Sequence, residues 1–264
     1  MCVNAHTSGN GARRTGRRGR YAGPISAEPR AVPKYYLLKE QLRALVRDAT
    51  PGALIPTERA LAEQYATSRT TVRQAIGELV AEGVLGRAQG RGTFVAPPRF
   101  TYVRQLTSFS DDADAQGLVS SSTVLDVSRT AADDDAAARL RVPVGAELAR
   151  VERIRLINGE PLAHEVALLA GALPGLAAHL DRTGSLYTAL RQDYGIDIVA
   201  AEDTVETRLA GPDDVRLLGI EMGAPLLLIH RLGFTADDSP VEWTRSVFRG
   251  DRFRFLARMK GPQH

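Results

Sequence analysis

What most constrains this chain is the run from Lys34 to Val95, where three short helical periods, each with its own start or stop signal, lead into two glycine-punctuated strand segments. Leu38, Leu42, Leu45 and Val46 recur at helical spacing and Pro51-Gly52 breaks the period, which predicts a first helix from Lys34 to Ala49. Pro56-Thr57-Glu58 opens a second helix, because the Thr57 hydroxyl caps free amides and Glu58 faces the positive helix end. It carries Leu61 inward and stops near Ala66. Thr67-Ser68 starts a third, with Val72, Ala75, Ile76, Leu79 and Val80 as its apolar stripe and Gly83 as its end. The tight link between the second and third helices makes a helix-turn-helix. Val84 to Arg87 and Thr93 to Val95 then flank Ala88-Gln89-Gly90-Arg91-Gly92, the pattern of a short hairpin, or wing.

The polar face of the third helix carries the chemistry. Arg69 and Arg73, four residues apart, share a face with Thr70 beside them. An arginine fork there matches the O6 and N7 of guanine in a major groove. Ser68, Thr70 and Thr71 lie in the first turn, where hydroxyls and free amides suit phosphate oxygens. Arg59 starts the second helix, and Gly90-Arg91-Gly92 presents an arginine without neighbouring bulk, a fit for a minor groove. Four arginines on a small domain also make an ordinary solvated surface. Their joint placement on the surfaces that a winged helix turns to DNA favours nucleic-acid binding.

Charge is divided unevenly along the chain. Residues 1–35 hold seven basic residues against one acid, residues 36–99 hold nine against six, and the remainder of a chain of net charge +3 is therefore −6. A +9 N-terminal third joined to an acidic remainder implies a polyanion-binding module attached to something else. Residues 1–31, rich in Arg, Gly and Ser, read as a disordered basic tail. A length of 264 residues suits about two domains. The expected divisions are a DNA-binding module at 32–96, a linker at 97–106 stiffened by Pro97-Pro98, and a second domain at 107–260. The single cysteine, Cys2, excludes an internal disulfide and a Cys-rich metal cluster. The apolar stretch from Leu168 to Ala178 is too short to span a bilayer, and the N-terminus lacks the apolar core of a signal peptide, so a cytoplasmic protein is expected.

In the second domain, strand candidates at Ser122 to Val127, Glu147 to Ile157, Leu162 to Leu169, Leu226 to Phe234 and Val241 to Phe248 accompany helix candidates at Asp133 to Leu140, Leu186 to Tyr194 and Pro212 to Leu218. Consecutive strands favour an antiparallel sheet with flanking helices, so the fold class is α+β. Arg153 and Arg155 share one face of a strand, as a salt-bridged surface or as an anion site. Glu165, beyond the Asn158-Gly159 turn, can pair with either arginine or accept from a ligand. Ser185 and Tyr187 start a helix, Ser185 as a cap or as a ligand contact, and Glu242 lies in the Val241 to Phe248 strand as an exposed edge charge.

These segments carry a family resemblance. Pro56 to Ala62, Ser68 to Ala75 and Gln89 to Val95 resemble the winged helix of GntR-type transcriptional regulators. Leu106 to Asp112, Arg153 to Leu156 with Asn158 to Pro161, Ser185 to Tyr187, and Pro240 to Glu242 leading to Arg249 to Phe253 resemble the UTRA effector domain of the HutC subfamily, most of all its amino-sugar-responsive repressors. The resemblance implies that Arg59, Arg69 and Arg73 read or flank bases, that Ser68, Thr70 and Thr71 hold phosphates, and that Gln89 to Gly92 follow the minor groove. It implies too that Ser108, Ser110, Arg153 and Arg155, with Phe109 between the serines, hold a sugar 6-phosphate, while Glu165, Ser185, Tyr187 and Glu242 meet its hydroxyls or amine. Phe248 stands where these repressors often have tyrosine, and Ser110 where they often have threonine.

UTRA domains share a fold with a lyase, yet the five histidines have no ligand-like spacing and no catalytic triad or HExxH pattern occurs. The expectation is a non-enzymatic homodimeric regulator, a repressor of a palindromic operator in double-stranded DNA. Its effector would be glucosamine 6-phosphate, N-acetylglucosamine 6-phosphate or another anionic metabolite, with neither cofactor, metal nor membrane partner.

Overall fold

The computed structural model describes residues 32–88, 90–103 and 109–257, and the chain from Lys34 onward is one compact unit. The tail at 1–31, Gln89, Ser108 and the linker residues 104–106 lie outside the described residues.

Helices α1 (Lys34–Leu45), α2 (Glu58–Gln64) and α3 (Arg69–Ala81) precede a hairpin of β1 (Leu85–Ala88) and β2 (Gly92–Val95), the winged helix-turn-helix read from the sequence. Thr57 caps α2 by accepting from the Ala60 amide, and Ser68 caps α3 by accepting from Thr71. Leu38, Leu42, Leu61, Ile76 and Leu79 meet in one core, in which burial of each side chain is worth about 1.5–3 kcal/mol. The first helix ends at Leu45 rather than Ala49. Val46, just beyond it, closes the core, while Leu45 is exposed. Lys39 is buried because its Nζ donates to Glu78 at 2.8 Å and to Glu82 at 3.1 Å.

The second domain is built on a six-stranded antiparallel sheet in the order β4-β5-β6-β9-β8-β7. Its strands are β4 (Ser120–Ala131), β5 (Glu147–Ile157), β6 (Glu160–Ala170), β7 (Ala200–Leu209), β8 (Pro225–Phe234) and β9 (Pro240–Arg249). Asn158 and Gly159 both have positive φ, which fits the tight turn joining β5 to β6. Strand β4 is longer than expected at both ends. Strand β7 escaped the sequence reading because an edge strand exposes both faces and loses its alternation.

Side chains of opposite parity separate two layers. Leu148, Leu168 and Leu232 pack under α5 (Asp134–Leu140), and Ile154, Leu226 and Val247 under α8 (Pro212–Leu218). On the other face, Val151, Ala167 and Leu169 pack against α6 (Leu176–Thr183) and α7 (Leu186–Tyr194). The far part of that face is roofed by α4 (Phe109–Asp114) and by β3 (Phe100–Val103), which pairs in parallel with β10 (Phe253–Leu256). This parallel pair departs from the all-antiparallel expectation, since it joins the two ends of the domain. The stretch from Leu168 to Ala178 spans the end of β6, a turn and the start of α6, and among the described residues no helix is long and apolar enough to cross a membrane.

Candidate functional site

Two separate surfaces gather the residues singled out in the sequence. On the first, Arg59, Arg69, Thr70 and Arg73 are exposed, as are Gly90, Arg91 and Gly92 at the wing tip. Gly90 and Gly92 take φ of 78° and 90°, conformations that allow the tight tip. The Ser68 hydroxyl accepts from the Thr71 amide at 3.1 Å and lies 2.8 Å from its hydroxyl, so part of this polar turn is engaged in capping. Arg73 is ion-paired: Glu58 of α2 accepts from its Nη2 at 2.9 Å and from its Nε at 3.2 Å, with Arg87 of the wing at 3.4 Å. That hydrogen bond from Arg73, together with the two positive charges, holds the Glu58 carboxyl below its ordinary range. Arg91 folds over the Phe94 ring at 4.5 Å.

The second surface is a cavity of about 80 Å³ between the roof and the sheet, and it brings together Phe109, Arg153, Arg155, Glu165, Ser185, Tyr187 and Glu242. Period-two geometry puts Arg153 and Arg155 of β5 on the same face, opposite Glu165 of β6. The sheet face is covered, so both arginines are 4% exposed and do not lie on a surface, although Arg153 has the salt bridge of that alternative. Arg153 is paired with Glu165, whose other oxygen lies 3.4 Å from the Ser246 hydroxyl. Arg155 instead sits 4.3 Å above the Phe109 ring. Burial, and then the neighbouring Arg153 charge, push its guanidinium down to about 9. Burial opposes ionisation of Glu165 too, but Arg153 and Arg155 outweigh it and leave that carboxyl below its usual range. Among the described residues, Nε and Nη1 of Arg153 and Nε of Arg155 are buried without an acceptor. Unmet guanidinium donors beneath a roof are costly, and a doubly charged oxyanion would satisfy them.

Glu242 lies at the other end of the cavity. It is 3% exposed on a central strand rather than at an edge, and it accepts from the Tyr187 hydroxyl at 2.7 Å. Burial raises its pKa. Ser185 caps α7 through the Thr188 amide at 3.4 Å and also lines the cavity. Ser110 is not in this chamber. It faces an adjoining groove of about 540 Å³, which shares Arg153 and Ser185 with the chamber and is lined also by Ser120, Ser121 and Ser122.

Sequence reasoning missed the third guanidinium of the chamber. Arg231 of β8 donates to Asp203 of β7 at 2.8 and 2.9 Å and to the hydroxyl of Tyr102, which β3 brings to the same wall. Burial alone would lower its pKa, but Asp203 holds it above the ordinary range. The histidines stand apart. His164 binds Glu152 at 2.7 Å on the opposite sheet face from Glu165, and His230 is mid-strand in β8 against Trp243. Among the described residues no His, Cys, Asp and Glu cluster could hold a metal.

A model of bacterial regulatory proteins of the gntR family matches residues 34–95, and a UTRA domain model matches residues 115–254. The chain belongs to the GntR family. This GntR regulator is 35% identical over 228 residues to the HTH-type transcriptional repressor NagR of Bacillus subtilis (strain 168), covering 85% of this chain and 94% of that protein. It is likewise 35% identical over 234 residues to the repressor PhnF of Mycolicibacterium smegmatis, covering 88% and 95%. The crystal structure of PhnF from Mycobacterium smegmatis matches with a TM-score of 0.62 at 34% identity, over 85% of this chain and 99% of that one. The GntR regulator is thus a DNA-binding transcriptional regulator of the HutC subfamily, with the domains of a regulator rather than of an enzyme.

Proposed function

We propose that the protein is a cytoplasmic homodimeric repressor that binds a palindromic operator through Arg69 and Arg73 and is controlled by a phosphorylated amino sugar. A two-fold protein expects a two-fold operator. One observation carries the effector assignment: within a single chamber the buried Arg155 guanidinium has no carboxylate partner, while the buried Glu242 carboxylate is bonded to Tyr187 rather than to a cation. A ligand with a phosphate at one end and an amine or hydroxyls at the other answers both. The phosphate would sit against Arg155 and Arg153, with Ser185 and Ser110 where the chamber meets the groove, and the ring would lie against Glu165, Tyr187 and Glu242. NagR, 35% identical to this chain, is named as a transcriptional repressor, which agrees with a repressor role. Phe248 in the chamber wall offers no hydroxyl and favours, as a second reading, a different anionic metabolite.

The test is thermal shift with glucosamine 6-phosphate, N-acetylglucosamine 6-phosphate and their non-phosphorylated analogues. Stabilisation by the phosphorylated pair, lost in Arg153→Ala while operator binding persists, is the expected result. An equal response to the analogues refutes the phosphate assignment. A footprint without two-fold symmetry refutes the dimeric operator complex.

A further inference from the structure

The C-terminal end of α3 does not end freely in solvent. Gly83 follows it with φ of +65°, and its α-carbon lies so close to the Asp251 carbonyl that a β-carbon would collide with it. Beside this contact stands Arg99, which donates through Nη2 to the Glu82 carbonyl and through Nε to the Asp251 carbonyl at 3.3 Å. One guanidinium therefore supplies a donor to the unpaired carbonyls at the end of the recognition helix and holds that end against a turn of the effector domain. The turn is itself fixed. Arg249 donates to the Asp251 carboxylate at 3.1 and 2.8 Å and to the Pro161 carbonyl at 3.2 Å.

Both chain segments that meet at Arg99 run into the effector chamber. Three residues beyond Arg99, Tyr102 forms part of the chamber wall and accepts from Arg231. Three residues before Asp251, Phe248 lines the same wall and stacks on Phe253 at 3.9 Å. The Phe100 amide closes the loop by donating to the Arg252 carbonyl at 2.8 Å. A second cavity, of about 450 Å³, is lined by Pro97, Pro98, Arg99 and Arg252 and leaves the Arg99 side chain room to relocate.

We propose that Arg99 is the positioning residue that couples the effector chamber to the DNA-binding domain. Seated between Glu82 and Asp251, it holds the end of α3 in one orientation, and a ligand that displaces Tyr102 or Phe248 withdraws it. The proposal rests on the chamber being the effector site. Coupling of this kind requires that ligand and operator favour different states of one element, and the Arg99 clasp is that element.

The test uses the full chain and the variants Arg99→Ala and Arg99→Lys, the second keeping a charge but losing the fork that spans two carbonyls. Hydrogen exchange without ligand examines the clasp itself. Amides at 82–84 and 250–252 are expected to exchange about tenfold faster in both variants, with α1 and β5 unchanged. Unaltered exchange at either segment overturns the proposal. Glucosamine 6-phosphate then probes coupling. A ligand-induced change in operator Kd of about tenfold in the wild type should fall to about twofold in the variants, with ligand affinity held within about twofold. Retained coupling overturns the role of Arg99. Absence of glucosamine 6-phosphate binding to the wild type refutes that ligand assignment instead, and the exchange result still decides the clasp.

Discussion

Replacing Glu165 by Gln removes the carboxylate that neutralises a buried pair of guanidiniums. The side chains of Arg153 and Glu165 are 4% and 14% exposed, and Arg155 adds a second buried positive charge on the same strand face. Breaking a buried ion pair from one side costs about 3–5 kcal/mol, because the remaining charge keeps its desolvation penalty. At about 2–4 °C per kcal/mol for a protein of this size, Tm should fall by about 6–20 °C, read by circular dichroism in a buffer without phosphate. Inorganic phosphate should then stabilise Glu165→Gln more than the wild type, since a ligand at a hundred times its Kd contributes about 2.7 kcal/mol and the variant has lost its internal anion. The double variant Arg153→Met/Glu165→Leu, which carries neither charge, should recover most of the loss. The pKa of Glu165 is depressed in the folded protein, so its contribution is present above the ordinary carboxylate pKa and is lost as pH falls through the lower folded value. The gap between wild type and Glu165→Gln should therefore close in acid. A destabilisation under about 1 kcal/mol, or a double variant no more stable than the single one, would refute the reasoning.

Three further outcomes are expected. Glu242 has a raised pKa, which costs stability as pH rises from the ordinary carboxylate value through the folded one, so Glu242→Gln should be more stable than the wild type at neutral pH and equal to it in acid. Urea titrations at two pH values check this. Ile76→Ala opens a gap in a side chain that is 1% exposed in the winged-helix core and should cost about 2–5 kcal/mol, measured by urea unfolding. Arg69→Ala should weaken operator binding by about 1–3 kcal/mol and leave Tm unchanged, as followed by fluorescence anisotropy; full-strength binding would remove Arg69 from base recognition.

The winged helix was legible because its signals are local. Thr57 and Ser68 announce caps, Val72, Ala75, Ile76 and Leu79 keep one period, and Gly90 and Gly92 mark the turn. Half of the proposed effector chamber was legible for the same reason, since the spacing of Arg153 and Arg155 dictates a shared face. Their burial was not legible, because it depends on a roof drawn from the distant segments at 100–103 and 253–256. Arg231 and Tyr102 meet only through the pairing of β8 with β7 and of β3 with β10, which no local pattern encodes. Helix α6 was hidden in an apolar run that begins in β6, where one composition serves two elements.

The Glu58–Arg73 pair on the DNA-facing surface has a consequence for how sites are told apart. In its proposed role at a base, Arg73, which already holds an intramolecular acceptor, would bind by exchange, and the acceptor on offer would have to outbid a carboxylate tethered beside it. Under that proposal, sequences without a well-placed acceptor would leave the exchange undone, and substitutions at position 58 would shift operator preference through the partner that Glu58 withholds from the bases.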